Sequence, residues 1–527
     1  MSLEEDQKNK IKDNFLMENL PGANDMLSIT LPNKDLLYYP FNSKQNKTLD
    51  VFDFTYQKKG GETEEFVSID KNISQAKSKK AQNQKYQKHN QNKNRGNQGN
   101  KNYNQVNLQR FNITQSIQPE SSWGLIKDFN KLNLEKLVID NTKLKVTNKA
   151  IYGNIYQINE SIEEEVSPYN PKPLKTYENM KFYGNTNTPF DQELLRMDDS
   201  VNIYTTDKIL AVIMTCIYNA HPWHLKIRKL GDKIFIEKMD NSEIDMVTVN
   251  ESDNTSTIYD DSNINSYKNL NIEATLINEF IKEQLLDIKE ETKLENTEPN
   301  PFKDPDDDDS NVEHLGYVYR LWNLEGMKIL VRSQVHAYNP IEVEEKSENE
   351  ENEEKEDEEE EEEEKEEKEK NLGYEFINVF ALNEFDKNTY LNGESNLGAS
   401  LIKKELKNNY LKLAKWGILS YLGGVKKLKI AFVTRKDLKN NNKHVISTIY
   451  NLGTDDLLLL TNFSKNIAWG IFMEIISIIK NYKEDGSFIL MKTFGETSAK
   501  SLLKLFKVPD SYFKNNETQT RNINWLA

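Results

Sequence analysis

Cysteine is almost absent. A single Cys216 in 527 residues excludes an intramolecular disulfide and fits a reducing compartment. Long apolar runs are missing too. The best candidate, IAWGIFMEIISIIK, carries Glu474 in its middle and falls short of the roughly 20 apolar residues of a membrane span. The opening MSLEEDQKNKIKD has no apolar segment of the secretory type. A soluble, cytoplasmic protein with no membrane partner is expected. There is no GxxxxGK[ST] phosphate loop and no GxSxG, and one Cys with 6 His gives no Cys/His metal cluster.

Apolar residues as a class are scarce, at 36% with a mean hydropathy of -0.78. The folded part is therefore smaller than the chain, because polar segments bury too little apolar surface to offset ordering entropy. Acidic residues are missing between Asp70 and Glu120, where QAKSKKAQNQKYQKHNQNKNRGNQGNKNYNQ mixes Lys and Arg with Asn, Gln and two tyrosines. Residues 1–120 read as a disordered basic, Asn-rich tail that attracts phosphates without reading sequence. Aromatic islands within it, DLLYYPF and LDVFDFTY, read as short docking motifs.

The net charge of -16 is local: Glu342 to Lys370 holds 20 acidic residues against 5 lysines. That run reads as a disordered acidic insertion, 342–370, in an otherwise near-neutral chain.

From about Ser121 the pattern is globular. Thr205-Thr-Asp opens a helix with Ile209, Leu210, Val212, Ile213, Cys216 and Ile217 on one face. Trp223 to Lys229 alternates at period two and returns through Gly231-Asp232 as a hairpin. Further strands are GYVYRLW, MKILVRSQV, EFINVFAL, KIAFVTR and HVISTIY. Helices are expected at Asn271–Asp287, Asn408–Leu422, Lys465–Lys480 and Ser498–Phe506. Without a regular βαβ alternation the fold class is α+β with a mixed or antiparallel sheet. The domain is expected over 121–505, with a C-terminal tail over 506–527.

Two carboxylate spacings suggest chemistry. Glu405 and Lys407 share a face if they sit on a strand. Glu384 and Asp386 have the same spacing. Together they would hold Mg²⁺ for phosphodiester cleavage. Trp223, Tyr319, Trp322, Arg320, Arg332 and Arg435 are candidates for stacking on a base or pairing with phosphate, although Trp223, Trp416 and Trp469 sit on apolar faces that read as core.

Several blocks then follow in one order: TTDKILAVIMTCIYNAHPWHLKIRKLGDKIFIEKMDNSEIDMVTVNE, NLNIEATLIN, PNPF, ELKNNYLKLAKW, KHVIS, NIAWGI and FILMK. With YYPF and SSWGLIKDFN they resemble the D subunit family of eukaryotic translation initiation factor 3. The resemblance implies a fold similar to decapping 5′-exonucleases used for binding the mRNA 5′ cap, without catalysis and without a cofactor. Its implied partners are capped mRNA, other initiation factor 3 subunits (the e subunit above all, through the tail) and the small ribosomal subunit, in the 43S and 48S preinitiation complexes. Carried across, the cap-contacting positions are Asp207, Ala220, His221, Thr275, Asn278 and Glu279. This chain departs from the family at Ala220, His221 and Glu279, where Val, Tyr and His are usual. The polar stretch 250–268 matches a gate-like insertion. Two alternatives stay open: an active decapping exonuclease using Glu384, Asp386, Glu405 and Lys407, and an architectural subunit with a decayed pocket.

Overall fold

In a computed structural model of the chain, residues 116–516 are described, except 178–179, 183–190, 199, 219–221, 240–241, 243, 250–261, 304–305, 307–311, 325, 342–372, 384–396, 438 and 494–500. The expected tail over 1–120 (all but its last five residues), the acidic insertion and most of the gate-like stretch lie outside the described residues.

Among the described residues the order begins with strand β1 (Gly124–Asn130), helix α1 (Lys131–Leu134), β2 (Lys145–Gly153), α2 (Glu160–Glu165), the two-residue β3 (Lys172–Pro173), α3 (Gln192–Arg196), β4 (Ile203–Thr206) and α4 (Asp207–Met214). It continues through β5 (Trp223–Leu230), β6 (Lys233–Lys238), α5 (Tyr267–Gln284), β7 (Gly316–Leu324), β8 (Met327–Val335), β9 (Ala337–Pro340), β10 (Tyr374–Leu382) and α6 (Leu397–Leu422). The last elements are β11 (Lys427–Asp437), β12 (Asn440–Gly453), α7 (Thr454–Leu460), α8 (Lys465–Lys480), β13 (Gly486–Lys492), β14 (Ser501–Val508) and α9 (Ser511–Asn516).

These strands form two mixed sheets. The larger runs β1-β14-β13-β5-β6-β4-β8-β7-β2 and the smaller β3-β12-β11-β10-β9. In the larger, β4 lies parallel to both β6 and β8. In the smaller, β10 and β11 are parallel and the other pairs antiparallel. Helices α4, α6, α7 and α8 fill the space between the sheets, so one apolar cluster joins Ile227 and Leu490 of the larger to Phe380, Ile430 and Phe432 of the smaller. Helix α5 covers the opposite face of the smaller sheet through Ile277 and Ile281. The α+β expectation is met, as are the β5–β6 hairpin and the helix at Lys465–Lys480. Gly423-Gly424 closes α6 as read, with Gly424 at a φ of +73° that favours glycine.

Four expectations are corrected. The helix expected over Ser498–Phe506 is not formed by its described residues: 498–500 lie outside them, and from Ser501 the chain is β14, hydrogen-bonded to β13 and β1 on its two edges. Leu503 and Leu505 enter one core while Phe506 and Val508 enter another, and this two-sided burial hides the period of two. The domain consequently runs past 505 into β14 and α9 rather than giving way to a tail at 506. Thr205 and Thr206 are the last two residues of strand β4, and α4 starts at Asp207 with no side-chain cap bond from Thr206. Helix α6 begins near Leu397, and the expected start at Asn408 falls beside a break, Asn409, whose φ/ψ of -133°/29° is not helical. Glu405 and Lys407 are thus helical residues, about 200° apart around the axis instead of on one strand face.

Packing between α8 and the chain after α1 is close. Gly470 meets the backbone there: a Cβ would stand 2.2 Å from the Leu137 carbonyl oxygen. Ile139 N–H donates to the Asn466 carbonyl at 3.3 Å on the same side. Replacing a mid-helix glycine by alanine normally stabilises by about 1 kcal/mol. Here Gly470→Ala is expected to destabilise by about 1–3 kcal/mol through overpacking. A denaturant midpoint that rises in this variant is incompatible with the backbone contact.

Candidate functional site

Strand β10 outlasts its neighbour. Its pairing with β9 ends at Ile377↔Ala337, whereas β11 follows it to Leu382. The free edge beyond Ile377 is buried, so its backbone groups need other partners. His336 accepts the Val379 N–H at Nδ1, 2.9 Å away. Asn278, from α5, accepts the Ala381 N–H at 2.8 Å and donates to the Ala381 carbonyl at 2.9 Å. Two side chains thereby stand where a strand would continue, and a cleft opens beside them.

That cleft holds about 770 Å³ of space free of atoms, its open mouth included. Asp207 and Lys208 of α4, Asn278, Glu279 and Lys282 of α5, and Lys412, Lys415 and Trp416 of α6 line it. Gln334, His336, Asn378 and Phe380 add the sheet side, and 244–248 a further wall. Phe380 and Trp416 stack at 4.8 Å with planes 7° apart. Trp416 is thus both core, as expected, and cleft wall, while Trp223 and Trp469 are core alone.

Asp207 is buried. Its Oδ1 accepts the Lys208 N–H at 2.7 Å and its Oδ2 the Gln334 N–H at 2.8 Å. Burial pushes its carboxyl above the usual range, opposed by these N–H donors and by Lys208 and Arg332. Asp245 pairs with Lys238 at 2.7 Å and Glu279 with Lys282 at 2.6 Å. Asn378 is 1% exposed and donates to Ser420 Oγ at 3.1 Å, but its Oδ1 has no hydrogen-bond partner. Since a hydroxyl either donates or accepts, one end of this amide lacks a partner whichever way round it is placed.

Of the six family positions, Asp207, Asn278 and Glu279 meet at the cleft. Thr275 stands behind the wall, where its Oγ1 accepts the Val247 N–H at 3.0 Å. Ala220 and His221 lie outside the described residues. Glu405 is buried and its Oε2 accepts from Asn409 Nδ2 at 2.9 Å, so it is a helix-internal partner and not one of a strand-borne metal pair. Glu384 and Asp386 lie outside the described residues. Among those described, no group of three His, Cys, Asp or Glu is placed to hold a metal ion. The other candidates are structural. Tyr319 and Arg332 both bond to buried Asp191, at 2.8 and 2.6 Å. Arg320 reaches the Leu422 carbonyl at 3.1 Å, Trp322 packs against Trp469 at 5.2 Å, and Arg435 pairs with Glu273. The strand-end positions Gln334, His336, Asn378 and Phe380 escaped sequence reading because nothing in RSQVH or FINVFAL marks where β9 stops pairing.

The family model described as eukaryotic translation initiation factor 3 subunit 7 (eIF-3) matches residues 33–507. The chain belongs to this family, the D subunits of eukaryotic translation initiation factor 3. Relatives include the D-1 subunit of Drosophila pseudoobscura pseudoobscura, 30% identical over 76% of this chain and 66% of that one. The D subunit of Aedes aegypti is 29% identical over 76% and 60%, and that of Bombyx mori 29% over 77% and 68%. The chain thus spans about two thirds of the length of these relatives. Among solved structures, Rai1 of Scheffersomyces stipitis in complex with (3′-NADP)+ and calcium ion aligns with a TM-score of 0.43 at 11% identity, over 77% of this chain and 96% of that one. Rai1 of Candida albicans in complex with pU5-Mn2+ aligns at 0.41 with 12% identity, over 76% and 97%. Among the described residues no helix is long and apolar enough to cross a membrane.

Burial, with the charges of Lys282 and Lys208, holds the His336 imidazole well below its usual range, and burial alone pushes His224 down to about 4. The unfolded chain takes up protons on both below about pH 6.5, where the folded chain does not. Their stability is therefore fully present above that pH and is lost as pH falls. His336→Asn, which keeps an acceptor for Val379, is expected to flatten the fall in unfolding free energy between pH 7 and 5, by up to ~1.4 kcal/mol per pH unit, as read by denaturant titration at each pH. An unchanged slope would contradict a neutral His336.

Proposed function

We propose that the chain is a cytoplasmic subunit of the initiation factor 3 complex that holds the 5′ cap of an mRNA in this cleft without cutting it. The observation that carries the reading is the unpartnered amide end of Asn378, almost fully buried on the cleft wall. A buried polar atom without a partner is costly, and a ligand that supplies one recovers that cost. The N–H edge of a guanine is such a ligand. Asp207 and Glu279 favour a base that carries positive charge, as a methylated guanine does, and the Phe380–Trp416 stack gives it an aromatic wall. Lys208, Lys412 and Lys415 match a triphosphate bridge.

Absence of cutting is supported by what the sheet presents. The alternating positions that face the cleft are Gln334 with His336 and Asn378 with Phe380. Hard divalent cations prefer carboxylate oxygens; these pairs supply none, and the cleft's own carboxylates are engaged elsewhere, Asp207 with two backbone N–H groups, Asp245 with Lys238 and Glu279 with Lys282. The partners in this reading are capped mRNA, the small ribosomal subunit and neighbouring initiation factor 3 subunits, with the YYPF and VFDF islands docking on the e subunit.

Titration of the full chain with m7GpppG and with unmethylated GpppG tests it. Preference for the methylated ligand is expected. Asn378→Leu should weaken binding roughly tenfold, the worth of one hydrogen bond, and Asp207→Asn should reduce the preference for methylation, with circular dichroism confirming the fold. Equal binding of the two ligands, or indifference to both substitutions, overturns the cap reading. Release of 5′ products from capped RNA in Mg²⁺ overturns the non-catalytic one and favours the exonuclease.

A further inference from the structure

Strands β11 and β12 project together beyond the smaller sheet, and the turn between them is basic. Residues 435–444 carry Arg435, Lys436, Lys439 and Lys443, three consecutive asparagines, and one acid, Asp437. Arg435 is taken: it pairs with Glu273 of α5 and donates through Nη1 to Asn265 at 2.7 Å. His444 reaches the same Glu273 at 2.7 Å. These bonds fix the base of the hairpin to α5, and they fix its faces.

Arg435 and His444 point to α5; beyond them the β11–β12 register shifts, from Arg435↔His444 to Asp437↔Asn440, and Lys436 and Lys443 stand exposed on either side of that irregular end. Leu174, just past β3, packs in the α5 core, so Lys175 also points away from it. Register brings these three together. Arg435 is opposite His444 and Pro173 opposite Val445, and the Leu174 N–H continues the ladder to the His444 carbonyl at 3.0 Å. Carried on by one residue, that register sets Lys175 beside Lys443, and Lys436 follows Arg435 at the same end of the hairpin. Neighbouring strands lie about 4.8 Å apart. Like charges gathered at one end of a hairpin repel one another, and an anion lying over them relieves that. All three and Lys439 are exposed, and among the described residues none has an ion-pair partner.

We propose that this lysine row is a second binding surface, separate from the cleft, for the phosphate backbone of RNA. Ammonium groups and asparagine amides suit phosphate oxygens and carry no base code. A protein partner would call for an apolar centre within the patch, and Lys175, Lys436, Lys439 and Lys443 supply only charge. The surface does not depend on the cleft taking a cap. Its foothold, Glu273, lies only about 8 Å along α5 from Asn278 of the cleft.

The test is fluorescence anisotropy of the full chain with a labelled, uncapped single-stranded RNA across a salt series. K175Q/K436Q/K443Q is expected to lower the slope of log affinity against log salt by about 2 and the affinity about tenfold at low salt. The control K127Q/K136Q/K483Q, with the same change of charge at other exposed lysines, is expected to change the slope little. Lysine-to-arginine replacement at the three sites should restore binding. Equal losses in both triple variants would reduce the effect to net charge and overturn the proposal. So would a lysine-row variant that keeps RNA affinity but no longer binds poly-glutamate, which assigns the surface to acidic protein, this chain's own tract included. Binding of m7GpppG, too short to span both places, reports on the cleft alone and is expected to survive in the lysine-row variant.

Discussion

The place where β9 stops and β10 continues governs the molecule. An unpaired buried strand edge is costly, and here one helix amide and one imidazole satisfy it. Asn278 and His336 are therefore structural before they are anything else. Their position pulls α5 against the sheet at one end of β10, and the remaining gap towards α4 and α6 is the cleft. A site built this way inherits rigidity from the ladder it completes, which is the condition for recognition by a few polar atoms.

Its electrostatics follow from the same closeness. Asp207 is held at the start of α4, where two backbone N–H groups oppose the burial that would protonate it. His336 is held neutral by burial and by lysines on α4 and α5. The histidine's Nδ1 is committed to Val379, and the two Asp207 oxygens to the Lys208 and Gln334 N–H groups.

Much of the fold was readable in the sequence, and for identifiable reasons. Lys465–Lys480 keeps a single apolar face under a Ser464 cap, so period and boundary agree. The β5–β6 hairpin has its Gly231-Asp232 turn between alternating runs. Legibility fails where both faces of an element are buried. In SLLKLFKV the apolar spacing imitates a helix because the strand feeds two cores. It fails again at ELK, where a kinked helix carries a dipeptide that suits a strand equally well. Asp207, Asn278 and Glu279 were found through family resemblance; no local signal marks them. Asn378 was out of reach of either route, because its significance lies in a hydrogen bond it does not make.

The two faces proposed for RNA obey different physics, and the difference bears on why one chain would carry both. A buried acceptor and a buried carboxylate act at short range and in low dielectric, so salt hardly weakens them and a wrong ligand is penalised through unpaired groups. Exposed lysines on a hairpin act at longer range, speed encounter and lose strength as salt rises. Glu273 joins the two: it anchors the hairpin through Arg435 and His444 and rides on the helix that carries Asn278. A substitution at Glu273 would remove the carboxylate partner of the half-buried Arg435 and leave it only Asn265 and the Ile264 carbonyl. It would also release the hairpin from the cleft's own helix. The capture of an RNA strand and the reading of its end would then be separate events on separate bodies, where the intact structure makes them neighbours on one.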